Sequence, residues 1–534
     1  MDKYAAEFLG TFRNFAPMLL AGCMGLWLVL QSTPGDAYPL DGYESTGIGR
    51  LEAQRLVQEG KKPGKKRPAG ELLPLSKVKL RLIDQPGFSL PKADPALTEQ
   101  VKKMLGSHVD RYGIALLDLS DMDHPRYAEW NGNQHQNPGS VGKILVALGI
   151  FQALADLYPD DIEARRRILR ETIITADDFS KVDHHTVLIW NEATGETTRR
   201  PIEPGDRASL WVYLDWMLSP SSNSAAGMVQ KNLILLKHYG KGYPVSAEEE
   251  VRFFKETPRE ELGKIFAAAI QSPVTRNGLD LGMLRQGSFL TRGGKQRVPG
   301  TTSYATPRSL MELSVKMEQG KLVDEFSSLE IKRLLYVTER RIRYGSSGVL
   351  RDSAVYFKSG SLYSCEPEEG FVCKKYSGNK RNYMNSLAII ESPAGQDRLF
   401  YMVTVLSNVL RMNSAQDHRD LARAIHGMLK HDHPVKPPGP GELPQSATFG
   451  EGFIGYEAER QAVRLKFETQ EALLGLGYDI GEIDGIIGAN TRKAIKDFQQ
   501  TQGLKADGNT SVELVQQMRK VAQEKGLIRA DTVQ

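Results

Sequence analysis

The sequence predicts an α+β protein: an antiparallel sheet flanked by helices, followed by a small C-terminal three-helix bundle. Three observations predict it. Strand patterns fall at residues 113–130 and again at 354–406, on either side of a long, mostly helical block. Strands segregated in this way pair as one sheet assembled from both ends, whereas a parallel sheet needs strands alternating with helices. A proline- and glycine-rich stretch, Pro434–Pro444, then sets apart a last helical unit.

Length and composition agree. A chain of 534 residues has room for about three or four units at roughly 150 residues each. Its 40% hydrophobic and 25% charged residues are those of an ordinary globular protein. Sixty-nine basic residues against 65 acidic ones, a net charge of +4, are too evenly balanced to expect nucleic acid as a partner. The one basic cluster, Lys61–Arg67, reads as a solvated linker.

The elements follow in order. An apolar run, Phe15–Leu30, comes after Lys3 and Arg13 and before Asp36 and Asp41. It barely reaches across a bilayer core, so it reads as a signal peptide or a membrane anchor. The positive-inside tendency then puts the bulk of the chain outside the cytoplasm, in a periplasmic or extracytoplasmic space. Leu20-Ala21-Gly22-Cys23 resembles a lipidation box, but the run stays apolar for seven residues beyond Cys23, which favours an anchor or signal over lipidation. The expected organisation is a signal or anchor over 1–31, an N-terminal extension over 32–93, the α+β domain over 94–432, a linker over 433–460 and the helical bundle over 461–526. Within the extension, Val78–Ile83 reads as a short strand.

Asp94 as N-cap and Pro95 at the first position open a helix over Pro95–Leu105. Gly113–Leu119 and Arg126–Trp130 read as strands. Pro138-Gly139 breaks the chain ahead of an apolar helix from Val141 to about Leu157, and the helical block continues through Ile162–Arg170, Leu210–Leu218, Ser224–Leu236 and Leu310–Leu335. Strands at Ala354–Lys358, Met384–Ser392 and Leu399–Leu406 and a helix at Asp417–Leu429 close the domain. Cys365 and Cys373 flank a short acidic segment that reads as a hairpin tip. In an oxidising compartment a disulfide closes that loop; the other reading is two free thiols. A metal site would want four ligands, and no histidine lies nearby in sequence, so no metal or other cofactor is expected.

The chemistry starts from Ser-x-x-Lys. At a helix start this spacing puts an amine on the same face as a hydroxyl, as an activated nucleophile needs. The tetrapeptide occurs at Ser76–Lys79, Ser89–Lys92, Ser140–Lys143 and Ser377–Lys380. Ser76 lies in a strand-like stretch, Ser89 in an extended segment before proline, and Ser377 in a polar loop. Only Ser140 opens a long helix. Downstream come Ser221-Ser222-Asn223, continued by Ser224-Ala225-Ala226, and Lys358-Ser359-Gly360-Ser361 at the end of a strand; Thr306-Pro307-Arg308 opens another helix.

These three motifs, in this order, resemble the S-x-x-K, S-D-N and K-T-G signature of penicillin-recognising serine enzymes, the penicillin-binding proteins and class A β-lactamases. The resemblance spans about Asp110 to Met428. It implies a β-lactamase/transpeptidase-like fold and an acyl-enzyme on Ser140. Lys143, kept neutral by burial and nearby positive charge, takes the serine proton. Lys358 supplies that charge and steers a substrate carboxylate, Ser221 relays a proton to the leaving amine, and Asn223 holds Lys143 and the substrate amide. The backbone N–H groups of Ser140 and Ser361 form the oxyanion hole, beside Ser359 and Gly360. The sequence departs from the class A pattern in one respect: no Glu-x-x-Leu-Asn element follows the second motif. Residues Leu284–Ala305 contain no Asp or Glu at all, and Glu256 lacks the Leu-Asn continuation. Acylation or slow turnover of β-lactams is expected rather than efficient hydrolysis.

In the last unit, Gln470–Tyr478, Ile483-Asp484-Gly485-Ile486-Ile487-Gly488, Thr491–Gln499 and Asp507-Gly508 combine amphipathic helices with Asp-Gly turns, and a third helix spans Thr510–Lys525. This pattern is closely similar to peptidoglycan-binding domains at the ends of wall enzymes. Asp484, Gly485 and Thr491 are its markers rather than expected ligand contacts. The expected function is a D,D-carboxypeptidase or endopeptidase acting on peptidoglycan stem peptides, with β-lactams as substrate or inhibitor. The alternatives are a β-lactamase and, in another class, a wall-binding or β-lactam-sensing protein without turnover.

Overall fold

The computed structural model describes residues 41–181, 183–396, 398–434, 465–466, 468–480 and 487–525. The expected signal or anchor, Cys23, nearly all of the 433–460 linker, Asp484 and Gly485 lie outside the described residues.

Five strands form the sheet: β1 (Tyr112–Asp118), β2 (Arg126–Trp130), β3 (Ala354–Ser364), β4 (Arg381–Ser392) and β5 (Leu399–Asn408). Their order is β2-β1-β5-β4-β3, antiparallel throughout, with Leu116 opposite Val403, Ala388 opposite Val403 and Lys358 opposite Leu387. The early strands therefore pair with the last one, and the sheet closes from both ends of the domain. The helices used below are, in chain order, α1 (Gly49–Gln58), α2 (Pro95–Met104), α3 (Lys143–Leu157), α4 (Leu210–Leu218), α5 (Asn223–Tyr239), α6 (Pro307–Glu318), α7 (Glu325–Tyr336) and α8 (Ala415–Asp432).

Alternation along each strand divides two cores. Ala115, Leu117, Tyr356, Leu387, Ile389 and Met402 face the layer that holds α3, α4 and α5. Ile114, Leu116, Val355, Phe357, Ile390 and Val403 face α2 and α8, meeting Leu97, Val101, Leu421 and Ile425. Strands buried on both faces read as continuous apolar runs, which is why Ile114–Leu117 and Leu387–Ile390 lack polar alternation. Helix α3 is buried from Lys143 through Leu154. With the 3-10 turn that leads into it, the stretch Gly139–Leu157 is long and apolar enough to cross a membrane by composition, but 78% of its apolar window is buried within the protein, as befits a central core helix. Asp94 caps α2 as its sequence predicts, accepting from Ala96 N at 2.8 Å and Leu97 N at 3.2 Å.

The stretch 41–93 is packed into the domain. Ile48, Leu51, Leu75, Val78 and Leu82 join the larger core. Val78–Ile83 is not a strand; a 3-10 turn at Leu75–Lys77 precedes it. Its alternation is real, since Val78, Leu80 and Leu82 are buried. However, it meets the end of α6 rather than a neighbouring strand. Arg81 N donates to Glu318 Oε2 at 2.8 Å and Leu82 N to Glu318 O at 3.0 Å, so side-chain and helix-end oxygens satisfy the backbone. Glu318 in turn pairs with Lys332 of α7 at 2.7 Å, both fully buried.

A second buried pair fastens α1. Arg50 Nε and Nη2 meet the two Asp215 oxygens of α4 at 2.7 and 2.5 Å, and Nη2 also donates to Val337 O at 2.7 Å. Arg50→Ala strands the Asp215 carboxylate in the core, so a loss of about 3–5 kcal/mol is expected. Denaturant unfolding of the variant beside the wild type measures it.

In the C-terminal segment, residues 468–475 and the helices α9 (Ala489–Thr501) and α10 (Val512–Glu524) pack around Leu473, Ile495, Phe498, Leu514 and Met518. Gln499 explains why Phe498-Gln499 and Asp507-Gly508 occur together. Its Nε2 donates to Asp507 Oδ1 at 2.8 Å and its Oε1 accepts from Gly508 N at 2.9 Å, pinning the turn. Gly508 sits at φ +73°, where a side chain is disfavoured. Thr491 is buried. These are framework positions.

Candidate active site

The site is built on the turn that starts α3. Gly139 takes φ +54° after Pro138, and a 3-10 turn, Gly139–Gly142, runs into the helix. That turn puts Ser140 and Lys143 on one face, and Lys143 Nζ lies 3.0 Å from Ser140 Oγ. Of the four Ser-x-x-Lys tetrapeptides, this is the one whose amine reaches its own serine hydroxyl among the described residues. The same Nζ lies 2.6 Å from Ser221 O, 2.7 Å from Asn223 Oδ1 and 3.3 Å from Ser221 Oγ. Lys143 is completely buried. Loss of hydration pulls its pKa down to about 7, with the charge of Asp183 acting in the opposite direction.

The second amine comes from β3. Lys358 Nζ donates to Ser221 Oγ at 2.8 Å and to Ser359 O at 3.0 Å. Burial, and then the positive charges of Lys143 and Arg343, hold its pKa well below the ordinary lysine range. The Ser221 hydroxyl therefore lies between two amines. Ser221 itself stands at φ +65°, a left-handed conformation costing a non-glycine residue about 1–3 kcal/mol. Its place is fixed on both sides, by Lys143 on its carbonyl and by Ser222 N donating to Trp216 O at 3.0 Å.

Ser222 caps α5, its Oγ accepting from Ala225 N at 3.1 Å. The carboxylate that the middle position of this motif lacks arrives from an upstream loop. Asp183 Oδ2 accepts from Asn223 N at 2.7 Å, from Ser224 N at 3.0 Å and from Ser222 Oγ at 3.0 Å, a charge placed at a helix N-terminus. Its Oδ1 accepts from the His185 ring Nδ1–H at 2.6 Å and from the backbone N–H groups of His184 and His185. Burial works against the Asp183 charge, but the His185 bond and charge and these N–H groups outweigh it and hold the carboxyl well below the usual range. Asp183 is invisible in sequence: it sits in a loop, and its one hint is serine where the motif has aspartate.

Close approach of β3 completes the turn. A Cβ on Gly360 would lie 2.1 Å from Pro138 O and 2.9 Å from Ser140 N, and one on Gly139 would lie 2.8 Å from Ser361 N. β3 is an edge strand, so one set of its backbone groups is free to face the turn. These close approaches set the Gly360–Ser361 backbone directly against the turn that carries Ser140. Gly360→Ala forces the strand off the turn. The expected result is acylation slower by about 10²–10³-fold, together with a lower unfolding temperature, because the added carbon meets backbone atoms that cannot swing aside. The rate of covalent labelling beside a thermal melt checks it.

A cleft of about 400 Å³ opens above these residues. Its lining contains Ser140, Ser221, Ser359, Gly360 and Ser361 and, among the described residues, no carboxylate. Arg343 reaches its wall, buried, at φ +52°, donating to Gly360 O at 2.6 Å and lying 5.2 Å from the Tyr376 ring centroid. No carboxylate pairs with it among the described residues. Tyr376 and Lys375 come from the β3–β4 hairpin, whose tip is closed by the Cys365–Cys373 disulfide, with the two Cα atoms 6.1 Å apart. The segment Leu284–Ala305 presents Gln286 to the same turn: its Oε1 lies 2.2 Å from where a Cβ on Gly142 would be, buried and without a hydrogen-bond partner among the described residues. Sequence reasoning found the motif residues. It missed Asp183, His184, His185, Arg343, Lys375 and Tyr376, which come from loops carrying no motif.

Residues 467–518 match the family model described as "Putative peptidoglycan binding domain". No curated protein matches the chain. Among solved structures it is similar to a β-lactamase from Sphaerobacter thermophilus DSM 20745, at 14% identity and TM-score 0.41 over 64% of this chain and 99% of that one. It is also similar to PBP-A, at 13% identity and TM-score 0.40 over 64% and 100% of the two chains. The TLA-3 extended-spectrum β-lactamase gives 12% identity and TM-score 0.42 over 64% and 99%.

Proposed function

We propose that the chain is a serine acyl-transfer hydrolase that acts on peptidoglycan stem peptides through a Ser140 acyl-enzyme, as a D,D-carboxypeptidase or endopeptidase. The observation that carries this reading is the dry Lys143 amine, 3.0 Å from the Ser140 hydroxyl and tied to Asn223 and Ser221. With its pKa at about 7, a large share of Lys143 is neutral at neutral pH and able to take the serine proton. Ser221, bonded to Lys358 and within 3.3 Å of Lys143, lies on the route by which that proton reaches the leaving amine. The Ser140 and Ser361 N–H groups receive the oxyanion, at about 3–4 kcal/mol per donor.

The electrostatics support a substrate with a free carboxylate. Arg343 is a buried cation in the wall of a cleft with no acid in its lining among the described residues, and a buried charge without a counter-ion is costly. An anion brought by the ligand offsets that cost. A terminal D-alanine carries such a carboxylate next to the scissile amide, which favours carboxypeptidase action. β-Lactams present a carboxylate and a strained amide and acylate the same serine. Fast β-lactam hydrolysis is the second enzymatic reading, and the absence of a carboxylate from the cleft lining weighs against it. A β-lactam sensor, acylated once, is the reading of another class. The peptidoglycan-binding segment suits a polymeric substrate, because tethering raises local concentration to about millimolar. An extracytoplasmic location and an N-terminal membrane anchor belong to the same proposal.

Labelling with a fluorescent penicillin, with mass spectrometry of the adduct and release of D-alanine from a stem pentapeptide, tests it. Label on Ser140 together with D-alanine release is expected. Rapid loss of label without D-alanine release points to a β-lactamase, and stable label without release to a sensor. No label removes the proposal.

A further inference from the structure

An acyl-enzyme that turns over needs a base for the incoming water, and the cleft offers few. Among the described residues its lining contains serines, cations, Tyr376, Asn413, His184 and His185, and no carboxylate. Gln286, the side chain that the Leu284–Ala305 segment presses against the turn, is an amide and cannot take a proton. Lys143 is engaged by Ser221 O and Asn223 Oδ1 and lies against Ser140 Oγ, which becomes the ester oxygen. It is placed for acylation, not for water approaching the carbonyl carbon from the open side.

His185 is differently placed. Its Nδ1–H is fixed on Asp183 at 2.6 Å, and Asp183 is anchored in turn by the N-terminus of α5. This bond sets the tautomer, so that Nε2 carries the lone pair. Nε2 has no hydrogen-bond partner among the described residues. The ring is 22% exposed and lines the cleft that holds Ser140 and Ser221. Burial lowers the His185 pKa below the ordinary imidazole value; the Asp183 bond and charge oppose this, and the charges of Lys143 and His184 add to it. His184, stacked at 4.4 Å, has no such carboxylate.

We propose that His185, oriented by Asp183, is the general base that activates water to hydrolyse the Ser140 acyl-enzyme. The proposal rests on the acyl-enzyme reading above. Water oxygen bonds to the acyl carbon as its proton passes to His185 Nε2, and the negative charge gathers at the Ser140 and Ser361 N–H groups. The bond from carbon to Ser140 Oγ then breaks, and Oγ leaves with the bonding pair. It takes up a proton as His185 returns its own to the water of the cleft. Ester and water thus become carboxylic acid and free hydroxyl. Asp183 is a positioning residue in this step.

Ligand atoms of Asp183, His184 and His185 lie within 4.8 Å of one another, close enough to suggest a metal site. However, both Asp183 oxygens are already occupied by the N–H and O–H donors named above. The His185 ring nitrogen that faces Asp183 is likewise engaged, at 2.6 Å from its Oδ1. The hydrogen-bonded arrangement favours the base.

The test compares the full chain with His185→Asn, whose amide keeps a donor for Asp183 but offers no base. Acylation is read with a fluorescent penicillin, and turnover with an N-acylated D-alanyl thioester bearing a free carboxylate. The expected result is an acylation rate within about twofold of wild type and a kcat lower by about 10²–10³-fold. KM should fall in parallel, acyl-Ser140 should accumulate by mass, and hydroxylamine, which attacks without a base, should restore release. An unchanged kcat, acylation slowed as much as turnover, or no rescue by hydroxylamine overturns the His185 role while leaving the Ser140 reading intact. A wild type that neither takes label nor turns over the thioester overturns both.

Discussion

Ser140→Ala is expected to abolish covalent labelling by penicillin and to lower turnover of a D-alanyl substrate by roughly 10⁴-fold or more. The reason is geometric. Ser140 Oγ lies 3.0 Å from the Lys143 amine, which is completely buried and placed to take its proton. Ser221 cannot stand in. Its hydroxyl is held by Lys358 at 2.8 Å, on a residue whose φ of +65° fixes where it points. The variant removes one oxygen and leaves the turn, the cleft and its cations in place, so thermal unfolding should match wild type. Intact-protein mass spectrometry after penicillin treatment reads the result. A persisting adduct on Ser221, or on any other serine, would dismantle the assignment.

Lys143→Met is expected to slow acylation by about 10³–10⁴-fold, the upper part of the range for loss of a general base. The wild-type pH profile supplies the independent check. Burial favours the neutral amine, so the folded-state pKa lies at about 7 rather than at the ordinary 10.5. The active form is the deprotonated one. The acylation rate therefore rises about tenfold per pH unit below 7 and levels off above it. At pH 5 it should be about a hundredfold lower than at its plateau. A purely structural lysine would give no such limb, and the limb should be absent from whatever activity Lys143→Met retains. Stopped-flow acylation between pH 5 and 9 measures both.

How much of this was legible in the sequence depended on the range of the interaction that decided each element. Ile114–Leu117 and Leu387–Ile390 announced themselves because burial on both faces leaves an unbroken apolar run. Ser140 and Lys143 announced themselves because one turn of helix carries both. Val78–Ile83 alternated like a strand but found a helix end, Glu318, where its backbone needed a partner. The 41–93 stretch, rich in proline, glycine and charge, gave no sign that Arg50 would be buried on Asp215.

What the sequence determined by itself was therefore local: most of the strand and helix identities, the Ser140–Lys143 turn, the N-cap at Asp94, and the framework of the C-terminal helices. Each depends on residues within a turn or two of one another, where spacing alone sets contact. Tertiary structure decided that Lys358 meets Ser221 across 137 residues. It also brought Asp183 in to supply the carboxylate missing at position 222, and left Arg343 buried beside the cleft without an acid. Those choices turn on the free energy of bringing charges together out of water, and that depends on which loops the fold carries to one place.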